Sequence, residues 1–116
     1  MDLFATLANL AGAEVPVDRP IDGINIEALF RDENLKSRVL FWALPIDTDI
    51  EYVIRKNNWK LFVDKDHKPV ELYNLREDPL EFFNLLGEEK LVARELEELF
   101  NNMIRSINED PTSSAL

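Results

Sequence analysis

The tightest constraint on the fold lies between Ile50 and Val63, where two alternating segments flank Asn57-Asn58. In residues 50 to 55, Ile50, Tyr52 and Ile54 share one face while Glu51, Val53 and Arg55 share the other. That is the period of two that defines a strand. Asparagine tolerates the positive φ that a type I′ turn demands at both central positions, so Asn57-Asn58 predicts a hairpin with Trp59 to Val63 returning antiparallel. A two-residue loop dictates the register: Ile54 faces Leu61, Tyr52 faces Val63 and Arg55 faces Lys60. Like charges across strands cost stability. A fourth strand over 70 to 75 would set Leu72 beside Leu61 and bring Glu71 near Arg55 and Lys60 to offset their repulsion.

Upstream, Val39 to Leu44 is a continuous apolar run rich in aromatic and branched residues, which predicts a central strand buried on both faces. Downstream, Asp78-Pro79 breaks the chain, Phe82, Phe83, Leu85 and Leu86 are expected to pack locally, and a long helix follows over 88 to 108. Its apolar stripe is Val92, Leu96, Leu99, Phe100, Met103, Ile104 and Ile107, a face that needs a sheet to cover. Glu88 and Glu89 favour its positive end and Arg105 its negative one.

At the start of the chain Leu3, Phe4, Leu7, Leu10 and Ala11 recur at helical spacing and Gly12 follows as a left-handed cap, predicting a helix over 3 to 11. Only two and a half turns long, it is marginal without tertiary packing. Pro16, Pro20 and Asp22-Gly23 mark an irregular connection. Asn25 suits the N-cap of a short helix near 25 to 32 carrying Ile26, Leu29 and Phe30 on one side. The fold class is therefore α+β: a small four-stranded antiparallel sheet packed by a long C-terminal helix and preceded by one or two short helices. Residues 109 to 116 read as a flexible tail.

Composition narrows the function. A formal charge of −10 repels phosphate backbones and anionic headgroups, which argues against nucleic acid and membrane partners. The apolar runs fall short of the ~20 residues a membrane span needs, and Met1-Asp2-Leu3 does not open a secretory signal. With no cysteine, thiolate chemistry is unavailable. The one histidine, His67, sits among charged residues in the Asp64 to Pro69 turn and reads as solvated, away from any nucleophile. Asp47-Thr48-Asp49-Ile50-Glu51 imitates the opening of a calcium loop, but Tyr52 and Asn58 stand where glycine and glutamate belong. Acids along the final helix read as its solvated face. Arg55, Lys60 and Trp59 cluster at one hairpin and could meet an anion, although a hairpin end balanced by Glu71 is the simpler account. Trp42 and Trp59 would serve as sugar platforms only if their rings are exposed. No catalytic, cofactor-binding or metal-binding residue emerges.

Taken in order, however, these landmarks resemble the sulfatase family. Asp2 to Gly12 is similar to the last helix of that family's catalytic domain, and Asp22-Gly23-Ile24-Asn25-Ile26 to the stretch after it. Val39-Leu40-Phe41-Trp42 resembles the first strand of the C-terminal subdomain. Val53 to Leu61 resembles its hairpin, where an arginine precedes a polar turn and a Trp-Lys-Leu strand. Glu71-Leu72-Tyr73-Asn74-Leu75, Asp78-Pro79-Leu80-Glu81 and Asn84-Leu85 give the most specific match. Departures are Ala5 in place of a common proline, Asn25 in place of serine, and Asn57-Asn58 in place of glycine-containing turns.

The resemblance implies that residues 1 to 36 are the tail end of a missing α/β catalytic domain and 37 to 108 the C-terminal subdomain. It implies a parent enzyme that hydrolyses sulfate esters with formylglycine and calcium, acts on a sulfated small molecule or glycan, and is exported or periplasmic. The Cys/Ser-x-Pro-x-Arg motif that yields formylglycine does not occur in the chain, so this segment by itself is expected to be inactive. Its partner would be the catalytic domain, and without it the apolar faces of the first two helices should drive self-association. The competing reading is a free-standing acidic α+β protein-interaction module; another is a small carbohydrate-binding domain using Trp42 or Trp59.

Overall fold

A computed structural model describes residues 1 to 18, 21 to 44 and 50 to 110. The chain divides into two compact units, Met1–Lys36 and Ser37–Leu116.

In the first unit, helix α1 spans Asp2–Leu10. It ends in the double hydrogen bond of a Schellman motif: Ala13 N–H donates to Ala8 O at 2.9 Å and Gly12 N–H to Asn9 O at 3.1 Å. Gly12 takes φ 68°, the left-handed turn that this termination requires. Thr6, buried, ties the helix to the chain that follows, donating to Asp2 O at 2.8 Å and accepting Ile26 N–H at 3.0 Å. A side chain at Gly23 would place its Cβ 2.3 Å from Met1 O, so only glycine allows that approach. The short helix near 25 to 32 is a 310 helix, Glu27–Arg31, with Ile26 rather than Asn25 at its N-cap. Asn25 Oδ1 instead accepts Glu27 N–H at 2.9 Å in a local turn, the alternative that short polar side chains offer a helix start. The apolar side chains Leu3, Phe4, Leu7 and Leu10 are exposed.

In the second unit, strands β1 (Val39–Ala43), β2 (Ile50–Lys56), β3 (Trp59–Asp64) and β4 (Pro69–Asn74) form one antiparallel meander in the order β1-β2-β3-β4. Helix α2, Lys90–Glu109, covers one face. The hairpin register is the one the loop length dictates: Ile54 opposite Leu61, Tyr52 opposite Val63, Arg55 opposite Lys60. Its turn differs in type. Positive φ occurs at Asn57 (55°) and not at Asn58, the pattern of a II′ rather than a I′ loop. Leu72 pairs with Leu61 as expected.

Strand β1 corrects the expectation of a central strand. Among the described residues it pairs only with β2, lies at the sheet edge and leaves Trp42 43% exposed. A continuous apolar run signals two apolar faces without stating how many neighbours hydrogen-bond to it.

The core lies between the sheet and α2. Tyr52, Ile54, Leu61, Val63 and Leu72 meet Ala93, Leu96 and Phe100, with Phe41, Trp59 and Ile104 packed at the margins. Phe100 is fully buried, 5.4 Å from the ring of Tyr52 and 6.1 Å from that of Phe41. Truncating such a side chain typically costs about 3–5 kcal/mol, a large share of a domain's usual stability of ~5–15 kcal/mol. Glu88 and Glu89 precede α2 rather than opening it, and Arg105 falls short of its last turn. Phe82 and Phe83 do not pack locally; they are 74% and 71% exposed on a loop held by polar groups.

Candidate functional site

Because side chains alternate along each strand, the sheet face turned away from α2 carries Trp42 from β1, Val53 and Arg55 from β2, and Lys60 and Phe62 from β3. These side chains, with Glu81, line an open groove of ≈ 630 Å³. Leu44, Leu75 and Pro79 complete its rim. Val53 and Phe62, paired across the strands, form its floor between Trp42 on one side and the chain after β4 on the other.

The polar end of the groove is asymmetric. Lys60 Nζ lies 2.7 Å from Glu81 Oε1 and 4.5 Å from the centroid of the Phe62 ring. Arg55 uses Nε to donate to Asn57 O at 3.0 Å. Among the described residues no carboxylate lies within ion-pair distance of its guanidinium. Within the like-charged cross-strand pair, Lys60 thus takes Glu81 as its ion-pair partner. Glu71 stands opposite Phe62 and hydrogen-bonds Tyr73 on its own strand. Burial, followed by the charge of Glu71 and that hydrogen bond, pushes the Tyr73 hydroxyl above its ordinary pKa.

The loop that delivers Glu81 is shaped by polar side chains. Asp78 Oδ2 accepts Phe83 N–H at 2.8 Å. Asn84 bridges to β4, its Oδ1 accepting Leu72 N–H at 3.1 Å and Leu86 N–H at 3.0 Å, its Nδ2 donating to Val70 O at 3.2 Å. Glu81 itself adopts φ 59°, a left-handed conformation that L-residues rarely take.

Of the candidates read from sequence, Arg55 and Lys60 do come together, but Trp59 parts from them. It lies on the α2 side, in a second concavity of ≈ 230 Å³ with Lys56, Val92 and Glu95. Lys56 pairs there with Glu95 at 2.7 Å. Trp42 takes its place in the groove, a role hidden from sequence because it depends on strand order. His67 is exposed with φ 62°, its ring centroid 5.3 Å from those of both Tyr52 and Phe100 in edge-on contacts. Residues 47 to 49, the start of the calcium-like stretch, lie outside the described residues.

The sequence is 31% identical to a sulfatase of Formosa agariphila over an alignment covering 76% of this chain. The chain belongs to the sulfatase family. It spans only 18% of that relative's length. Similarity extends to solved structures: a 2-O GAG sulfatase superposes with TM-score 0.69 at 26% identity, covering 94% of this chain and 25% of that one. Ps i-CgsB in complex with k-i-k-neocarrahexaose superposes with TM-score 0.64 at 27% identity, covering 99% of this chain and 26% of that one. No family model matches the chain.

Sulfatase chemistry implies formylglycine and calcium, and the residues present do not fit either. The chain has no cysteine and no Ser-x-Pro-x-Arg stretch to become formylglycine. Among the described residues no three of His, Asp and Glu gather where a metal could sit.

Proposed function

We propose that this chain is the C-terminal part of a sulfatase, in which residues 37 to 108 form a subdomain that braces the catalytic domain and shapes one wall of a cleft for a sulfated glycan. The observation that carries the reading is the sulfatase-family match along nearly the whole chain combined with its small share of each relative. Residues 1 to 36 then belong to the end of the catalytic domain, whose body would cover Leu3, Phe4, Leu7 and Leu10, now exposed. Burying such side chains is worth ~1.5–3 kcal/mol each, enough to make docking favourable. On this reading the isolated chain is inactive and self-associates through that surface. Sulfated glycan as the substrate class is supported by the 2-O GAG sulfatase and by the saccharide complex of Ps i-CgsB.

The test is a chimaera in which this chain replaces the matching segment of the Formosa agariphila sulfatase. Soluble protein that hydrolyses a sulfate ester within about an order of magnitude of the parent supports the reading. Deletion of the segment should abolish soluble, active enzyme; a deletion variant as stable and active as the parent contradicts a bracing role.

A further inference from the structure

The two edges of the sheet differ in what their backbone does. On β4 the groups that point away from β3 are already taken: Leu72 N–H donates to Asn84 Oδ1 at 3.1 Å, Leu72 O accepts Leu85 N–H at 2.8 Å, and Val70 O accepts an Asn84 Nδ2 hydrogen at 3.2 Å. A further strand could add there only by displacing that loop. On β1 the opposite holds. Leu44 N–H donates to Glu51 O at 2.7 Å, and bonded residues alternate along an antiparallel ladder, so Trp42 and Leu40 also bond to β2, opposite Val53 and Arg55. Val39, Phe41 and Ala43 therefore direct N–H and C=O outward, and among the described residues no strand pairs with them. Natural edges are usually blunted by lysine, proline, a bulge or a covering segment. Strand Val39–Ala43 has no charged residue and no proline, its register with β2 is unbroken, and Trp42 on it is 43% exposed.

We infer that this edge binds a second copy of itself, β1 to β1 and antiparallel about a two-fold axis at Phe41, making one continuous sheet across the dimer. In that register Val39 stands opposite Ala43 of the second copy and Phe41 opposite Phe41, so each outward N–H of the strand meets an outward C=O. Moving the axis to Leu40 or Trp42 carries Ala43 or Val39 past the end of the opposing strand. On the groove side Trp42 lies across from Leu40 of the other copy, a directly opposed pair with Cβ atoms ~4.5–5.5 Å apart, so the exposed indole gains an apolar cover. The antiparallel sense sends the two Arg38 side chains to opposite ends, whereas a parallel pairing would set these like charges side by side. Because the β4 edge is occupied, addition stops at two copies and does not run on into a filament. A ribbon of 5 residues is a small contact beside the ~800 Å² per partner of a standard interface, and the dimer should dissociate on dilution.

This contact does not depend on the reading of the chain as a sulfatase segment, and it is separate from association through Leu3, Phe4, Leu7 and Leu10. The full chain is followed by NMR over a dilution series, with a mixture of isotopically labelled and unlabelled protein to detect NOEs between copies. The Phe41 and Ala43 amides should exchange at least about tenfold more slowly in concentrated than in dilute solution, and the Leu40 and Trp42 amides, already bonded to β2, should change less. An NOE from Leu40 Hα of one copy to Trp42 Hα of the other should appear, because the two-fold brings that non-hydrogen-bonded pair closest. Ala43→Pro removes an outward donor and no bond to β2, and Ala43→Lys blunts the edge; each should weaken dimerisation about tenfold in sedimentation equilibrium. Leu3→Ser combined with Leu7→Ser disrupts the first-unit surface and should leave the NOE and the Phe41 protection in place. Absence of the NOE overturns the proposal, as does dimerisation that neither Ala43 variant weakens. Phe41 and Ala43 amides that exchange slowly at every dilution also overturn it, since the edge is then covered within one copy. Association lost with the Leu3 and Leu7 changes alone supports the first-unit surface and overturns the β1 contact. Should Ala43→Pro unfold, the NOE in the wild type still decides.

Discussion

Lys60 Nζ and Glu81 Oε1 stand 2.7 Å apart, joining the start of β3 to a residue that is held at φ 59° in the loop beyond β4. The pair closes one end of the groove and explains how Arg55 and Lys60 face each other across β2 and β3. Both side chains remain about a quarter exposed, at 24% and 29%, so solvent screens part of their attraction.

Glu81 therefore carries a gain and a cost at one position. Glu81→Ala loses the ion pair and keeps the left-handed backbone, and it should destabilise the chain by about 1 kcal/mol. Glu81→Gly loses the same pair but relieves a backbone penalty of ~1–2 kcal/mol, and should lie within about 0.5 kcal/mol of the wild type. Urea denaturation of the two variants measures the difference. Equal losses would show that the left-handed conformation costs nothing.

Asn84 is the second fixed point of the loop, serving three backbone groups from one amide. Asn84→Ala strands the Leu72 N–H beside the core, and a buried donor without a partner costs ~1–3 kcal/mol. The variant should lose about 2 kcal/mol, with faster hydrogen exchange at the Leu72 and Leu86 amides than elsewhere in the sheet. Uniform exchange across β3 and β4 would assign Asn84 no special part.

Alkaline stability should report on the two buried tyrosines. Burial, then the Glu51 charge, raises the pKa of Tyr52; burial, then Glu71, raises that of Tyr73. A group whose folded pKa exceeds its unfolded value of ~10 contributes stability that is complete below that value and is lost as pH rises through the folded pKa. Unfolding free energy should thus fall above about pH 10, with phenolate absorbance appearing along with unfolding rather than before it. Tyr52→Phe and Tyr73→Phe should flatten that slope. Ionisation of both tyrosines in an intact fold would contradict it.

The hairpin, the long helix and the α+β class were legible in the sequence because each rests on local periodicity. Asn57-Asn58 placed Ile54 against Leu61 without any knowledge of the rest of the chain. The apolar stripe of α2 likewise pointed at Leu96 and Phe100, and missed only Ala93, whose small side chain carries little signal. What stayed hidden depends on residues distant in sequence. The partner of Lys60 is 21 positions away and reaches it through a positive φ that glutamate does not advertise. Trp42 belongs to the groove because β1 lies at the edge, and strand order is not written in the apolar run itself. Phe82 and Phe83 looked like packing residues on hydrophobicity alone, whereas Asp78 and Asn84 dictate the path that leaves them outside.

The most direct test of the central proposal, that this sulfatase segment has no turnover of its own, is hydrolysis of an aryl sulfate by the purified chain, with and without added calcium. Release of the phenol should not exceed the uncatalysed background in either condition. Calcium-stimulated or saturable release above that background would contradict the account.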